Sequence, residues 1–170
     1  MQYRKFGSTN EEISILGFGA MRLPIVDGKD DQIDYEKATA MVRYAFDHGV
    51  NYLDTAYPYH AGNSELFCAQ VIKDGYREKI KLATKLPVWE VKEPADMMRL
   101  LDEQLAKLEV EYIDFYLLHA LKQSYWDICT KNNYKTFLDE AKAQGKIRYA
   151  GFSFHDSMDL FKEIADDYDF

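Results

Sequence analysis

The chain has 170 residues, 47% hydrophobic and 29% charged, a globular composition able to bury roughly 70% of the unfolded surface. Its net charge of −8, from 21 basic and 29 acidic residues, argues against nucleic acid and anionic membranes as partners, because phosphate recognition needs a basic face. Cys68 and Cys129 lack the spacing of a zinc or iron–sulfur site, and no apolar run forms a signal core or spans a bilayer. No metal and a reducing, cytoplasmic setting are therefore expected.

One domain covering residues 1–170 is expected at this length. Residues 3–6 and 12–16 flank the turn cluster GSTNEE and predict a short hairpin. ISILGFGAMRLP then reads as a buried strand running into a loop that ends at Pro24, followed by the charged loop VDGKDDQID. From Asp34 the period becomes helical, with Ala38, Met41, Val42, Ala45 and Phe46 on one face, Asp34 as N-cap and Gly49 as stop. VNYLDTA is a second buried strand. SELFCAQVIKDG is a second helix, with Ser64 as cap and Gly75 as stop. KIKLATK is a third strand. EPADMMRLLDEQLAKLEV is the strongest helix, with an apolar face of Met97, Leu100, Leu101, Leu105 and Leu108. YIDFYLLH, then YKTFLDEAKAQGK ending at Gly145, then IRYAGFSF, then SMDLFKEIADDY continue the alternation of strand and helix. Alternation of this kind predicts an α/β fold with a parallel sheet built from right-handed crossovers. Strands without polar alternation predict a sheet covered on both sides.

The ends of these strands carry the chemistry. The second delivers Asp54, with Tyr59 in its loop; the third delivers Lys85, the fourth His119 and the fifth Ser153. In a parallel βα sheet such ends lie on the face where active sites form. A lysine after an apolar strand is costly to bury as a cation without a counter-ion, and Asp54 is the obvious one. An ammonium near a phenol stabilises the phenolate and makes Tyr59 a stronger acid. A protonated imidazole nitrogen on His119 can donate to a substrate oxygen. These groups suit carbonyl reduction, with hydride from a cofactor and a proton from Tyr59. Taken singly, each residue has an ordinary structural reading as a packing tyrosine, a solvated lysine, a turn aspartate or a core histidine. Four compatible groups at four strand ends favour the chemical one. Trp89 and the segment ALKQSYWDICTKNNY are expected to line the mouth, where packing of their aromatics on one another is preferred to a substrate role.

The motifs LDTAYPY, ATK, YLLH and GKIRYAGFSF, in this order, resemble the aldo-keto reductases over essentially the whole chain. GFSFHD is similar to the bacterial branch whose members often carry an iron–sulfur tail. The resemblance implies a (β/α)8 barrel of TIM type, an NADPH (or NADH) cofactor and a small-molecule carbonyl substrate. It also implies a catalytic tetrad of Asp54, Tyr59, Lys85 and His119. Gly19, Ala20 and Met21 match the loop near the cofactor, Asp54 also borders it, and Ser153 matches the residue that holds the nicotinamide carboxamide. Phe154 stands where many relatives have Asn. A whole barrel needs about 250 residues; about five βα units are present, after the hairpin. The barrel is therefore expected to be incomplete and the chain to be the N-terminal portion of a longer product. Its open edges would otherwise be covered by self-association or by a separate C-terminal half. Weak or absent activity of the isolated chain is expected. A non-enzymatic binding or assembly subunit is the alternative. Lys85 as a Schiff-base nucleophile is weaker still, because Asp54 would keep it protonated.

Overall fold

The computed structural model describes residues 1–170. The chain divides into two compact units, Met1–Thr84 with Lys107–Glu109, and Lys85–Ala106 with Val110–Phe170. The secondary structure is the alternation expected: five strands form one sheet in chain order, and a separate two-stranded sheet precedes it. The fold class is α/β with a parallel sheet, as the sequence predicts.

In the first unit, β1 (Tyr3–Lys5) pairs antiparallel with β2 (Glu12–Ser14), which is the predicted hairpin. The hairpin is fastened to the chain after the first helix. Asn51 Oδ1 accepts from the Ser14 amide at 2.7 Å, and Asn51 Nδ2 donates to the Glu12 carbonyl at 2.9 Å. The Tyr3 hydroxyl donates to the Gly49 carbonyl at 2.9 Å. Gly49 has φ +93°, and a Cβ there would lie 2.7 Å from the Tyr3 hydroxyl, so the helix stop is also a close approach that only glycine tolerates.

The predicted strand over ISILGFGA is mostly something else. Strand β3 is only Phe18–Gly19, while Ile15 and Leu16 are 55% and 60% exposed. The Ile15 amide donates to the Gln2 carbonyl at 3.0 Å, so these residues prolong the hairpin instead of joining the parallel sheet. The charged loop that follows is pinched by an isolated antiparallel bridge between Ile25 and Ile33.

Helix α1 (Tyr35–Asp47) starts as predicted, with the Asp34 carboxylate accepting from the Lys37 amide at 3.2 Å. Ala38, Val42 and Phe46 are buried, but Met41 is exposed and lies off the buried stripe. Strand β4 (Tyr52–Asp54) pairs parallel with β3, placing Gly19 opposite Asp54, and with β5 (Lys81–Leu86), placing Asp54 opposite Ala83. Helix α2 (Ser64–Val71) is buried on most sides, and it stops well before Gly75.

In the second unit, helix α3 (Pro94–Leu108), whose last two residues belong to the first unit, buries the stripe read from the sequence: Met97, Leu100, Leu101, Leu105 and Leu108. Full burial of one such side chain stabilises by about 1.5–3 kcal/mol, so this helix is held by packing more than by its caps. Strand β6 (Ile113–Leu121) pairs parallel with β7 (Ile147–Phe154). Helix α4 (Gln123–Lys131) falls in the segment expected to line the mouth, for which no helix was predicted. Lys122, the residue before the helix, makes no side-chain cap; the Asp156 carboxylate, from beyond β7, accepts from the Gln123 amide at 2.9 Å. Helix α5 (Tyr134–Ala143) ends before Gly145 as predicted, and α6 (Met158–Asp167) is capped by Ser157. No helix is long and apolar enough to cross a membrane. Both cysteines are buried free thiols, and burial pushes each up to about 12.

Candidate active site

Every strand residue singled out in the sequence lies within the last three positions of its strand: Asp54 in β4, Lys85 in β5, His119 in β6 and Ser153 in β7. Asp54 and Tyr59 belong to the first unit, Lys85, His119 and Ser153 to the second.

In the first unit, Asp54 ends β4 and is half-buried. Its carbonyl accepts from the Ala20 amide at 2.8 Å. The Ala20 carbonyl in turn accepts from the Ser64 hydroxyl at 3.1 Å. The loop after β3 is thus tied at Ala20, which is fully buried, while Gly19 and Met21 on either side are exposed. Ser64 is therefore not the side-chain cap that its position suggests: Asn63 precedes the helix, and the Ser64 hydroxyl lies 2.8 Å from that of Thr55. The next residue, Glu65, is fully buried, and the Thr84 hydroxyl donates to it at 2.7 Å. This Thr55–Ser64–Glu65–Thr84 group was not read from the sequence. The available signal was two polar residues, Ser64 and Glu65, opening an otherwise apolar helix.

Tyr59 opens a tight 3-10 turn, Tyr59–Gly62, in which His60 and Ala61 are both left-handed, with φ of 52° and 53°. Non-glycine residues there cost about 1–3 kcal/mol each and persist only where their surroundings over-determine them. Tyr57, two residues before, carries the Lys107 ammonium 4.0 Å above its ring.

In the second unit, Lys85 is only 4% exposed. Its carbonyl accepts from the Gln104 side chain at 3.0 Å, and Gln104 accepts from the Tyr116 hydroxyl at 2.6 Å. This buried chain fixes the backbone at Lys85 from helix α3. His119 interacts electrostatically with Lys85; burial first, then the Lys85 and His155 charges, pull its pKa down to about 4. The imidazole is accordingly neutral at physiological pH. The Trp89 ring lies 5.3 Å from that of His119 and 6.1 Å from that of Tyr125, which is the aromatic packing preferred for this segment.

The ladder between β6 and β7 is irregular between Leu118 and Leu121, and Ala120 has φ 53°. The Ser153 hydroxyl accepts from the Ala120 amide at 2.7 Å. Ser153 therefore pins the bulge beside His119, a role with no sequence signal. Its own hydroxyl hydrogen remains available for an acceptor such as an amide oxygen.

The profile of the Aldo/keto reductase family matches residues 15–170. The chain belongs to this family. It is 32% identical over 157 residues to a probable aldo-keto reductase 1 of Glycine max, covering 88% of this chain and 44% of that protein. It is 30% identical to L-galactose dehydrogenase of Arabidopsis thaliana, covering 98% of this chain and 52% of that protein. Among solved structures, an aldo-keto reductase from Bacillus halodurans in its holo form is similar with a TM-score of 0.78 and 31% identity, over 96% of this chain and 53% of that one. An aldo-keto reductase from Klebsiella pneumoniae in complex with NADPH gives a TM-score of 0.75 and 27% identity, over 94% and 52%. The chain thus spans about half the length of the relatives it matches, and its five parallel strands agree with a partial barrel of the family's type.

Proposed function

We propose that the protein to which this chain contributes is an oxidoreductase that reduces aldehyde or ketone carbonyls with NADPH. Membership of the family supports the class, and the NADPH complex of the Klebsiella relative supports the cofactor. The observation that carries the reading is a buried lysine, Lys85, near the end of its strand, with His119 near the end of the next and its pKa lowered by burial and by the Lys85 charge. A charged imidazole beside an ammonium would repel it. A neutral one keeps a ring N–H to offer a carbonyl oxygen and a positive field from Lys85 that favours an anion nearby.

When bound, the cofactor supplies hydride to the carbonyl carbon. The remaining work belongs to side chains of this chain. Tyr59 gives its phenolic proton to the substrate oxygen and regains one from solvent. Lys85 stabilises the phenolate left behind, with Asp54 as its counter-ion, and His119 orients the carbonyl by a hydrogen bond. Ser153 fits a carboxamide, since its hydroxyl accepts from Ala120 and keeps its hydrogen for an amide oxygen. Gly19 is exposed at the end of β3, with open space around its Cα. With Ala20 and Met21 it would border the cofactor.

The test follows NADPH oxidation by the whole protein against a panel of aldehydes and ketones, with Tyr59→Phe as control. Loss of one general acid lowers turnover by about 10²- to 10⁴-fold. Undiminished turnover in Tyr59→Phe would show that the proton comes from elsewhere.

A further inference from the structure

His60 is the buried histidine that the chemistry above leaves unused, at 2% exposure. It follows Tyr59 directly and is left-handed, as is Ala61. Both of its ring nitrogens face the segment before helix α1. The Leu23 amide donates to Nε2 at 3.2 Å. Nδ1 lies 2.8 Å from the Asp30 carbonyl and 3.4 Å from the Asp30 carboxylate. Three residues on, Asn63 Nδ2 donates to the Asp31 carbonyl at 2.9 Å. The segment is itself closed on its own base by the bridge between Ile25 and Ile33, so His60 meets an ordered partner.

We infer that His60 is a positioning residue for Tyr59: a clasp that binds the closed segment 23–33 to the turn and thereby holds Tyr59 where it adjoins the left-handed pair His60 and Ala61. The hydrogen-bond pattern dictates the ring's state. A backbone N–H aimed at Nε2 requires a lone pair there, so the proton sits on Nδ1 and donates to Asp30. A ring buried to this degree keeps both nitrogens partnered, because an unpartnered one would lose its hydration without replacement. The same two bonds over-determine the left-handed conformation of His60, which is what such a conformation requires to persist. The Tyr59 amide, bonded to the Ala56 carbonyl at 3.2 Å, and the Asn63 amide, bonded to the His60 carbonyl at 3.0 Å, then carry the constraint to either side.

The role assigned to Tyr59 rests on the proposed function; the clasp does not, and the tests separate them. In the unmodified protein, a ¹⁵N-histidine spectrum is expected to show His60 as the Nδ1–H tautomer with an accepting Nε2. The opposite tautomer overturns the clasp without any variant. His60→Ala is expected to speed hydrogen exchange at the Leu23 amide by about tenfold, the equivalent of one lost hydrogen bond. His60→Gln, whose side-chain oxygen can reach the Nε2 position, is expected to restore part of the protection. Unchanged Leu23 exchange in both overturns the clasp. In the whole protein, His60→Ala is expected to lower kcat about tenfold with KM nearly unchanged, because a displaced acid costs the chemical step and not ground-state binding. If Tyr59→Phe abolishes turnover while His60→Ala leaves kcat intact, the positioning role is wrong. If Tyr59→Phe leaves turnover intact, the reductase reading fails while the tautomer and exchange results still decide the clasp.

Discussion

The two units hold their candidate catalytic groups by different means. In the second unit, Lys85 and His119 sit within strands of six and nine residues, Lys85 with its carbonyl held by Gln104 and His119 at the irregular stretch between Leu118 and Leu121. One irregularity, at Ala120, is pinned by a single hydroxyl from Ser153. In the first unit, β4 has three residues, and Tyr59 lies beyond its end on a turn with two consecutive left-handed residues. Position there depends on side-chain hydrogen bonds: Ser64 to Ala20, His60 to Leu23 and Asp30, Asn63 to Asp31. Where the ladder is short, polar side chains do its work, and Ser64 and His60 do it from buried, low-dielectric positions.

The comparison can be broken or sharpened by four measurements. The largest effect is expected from Tyr59→Phe, whose loss in turnover is given above; it tests whether the side-chain-held half contains the acid. The second is the acid limb of stability, which isolates the strand-held half. Burial, then the charges of Lys85 and His155, pull the His119 pKa down to about 4 in the folded chain, against about 6.5 for an unperturbed imidazole. Protonation therefore favours the unfolded state. The stabilising contribution is complete above pH 6.5 and is lost as pH falls from 6.5 towards 4. His119→Asn is expected to flatten this limb in denaturant titrations run from pH 7 to pH 4; an unchanged slope would place the titration elsewhere.

Third, Thr84→Val removes the donor to the fully buried Glu65 carboxylate. A loss of about 1–3 kcal/mol is expected in urea unfolding, with the amides of Ala20 and Ser64 exchanging faster if the first unit's polar network acts as one. Fourth and smallest, Ser153→Ala deletes the acceptor for the Ala120 amide. About 1 kcal/mol of stability should be lost, with chemical-shift changes concentrated at residues 118 to 121. Shifts spread evenly over β6 would mean that the ladder alone holds the bulge.

How far the sequence could be read follows the same division. Helix α3 was legible because its five apolar positions obey one period and are buried together, and α1 because its cap and its glycine stop are both local. Helix α4 was not, because its cap is Asp156, supplied from 33 residues further along the chain. Ser64 read as a cap because serine before a helix usually is one; burial against Thr55 and Ala20 gave its hydroxyl better partners. The exposed Ile15 and Leu16 broke the expectation of a buried strand, since apolarity does not say which sheet a residue will join.

The order of strands and helices apart from α4, the parallel class of the sheet and the placement of Asp54, Lys85, His119 and Ser153 near strand ends were determined by the sequence alone. Each is encoded by local period or by position along one element. The left-handed turn at His60 and Ala61, the clasp on Leu23 and Asp30, the neutral state of His119 and the pinned bulge at Ala120 were decided by tertiary structure. Each depends on which distant group arrives to complete a hydrogen bond or to exclude water, and no local pattern records that.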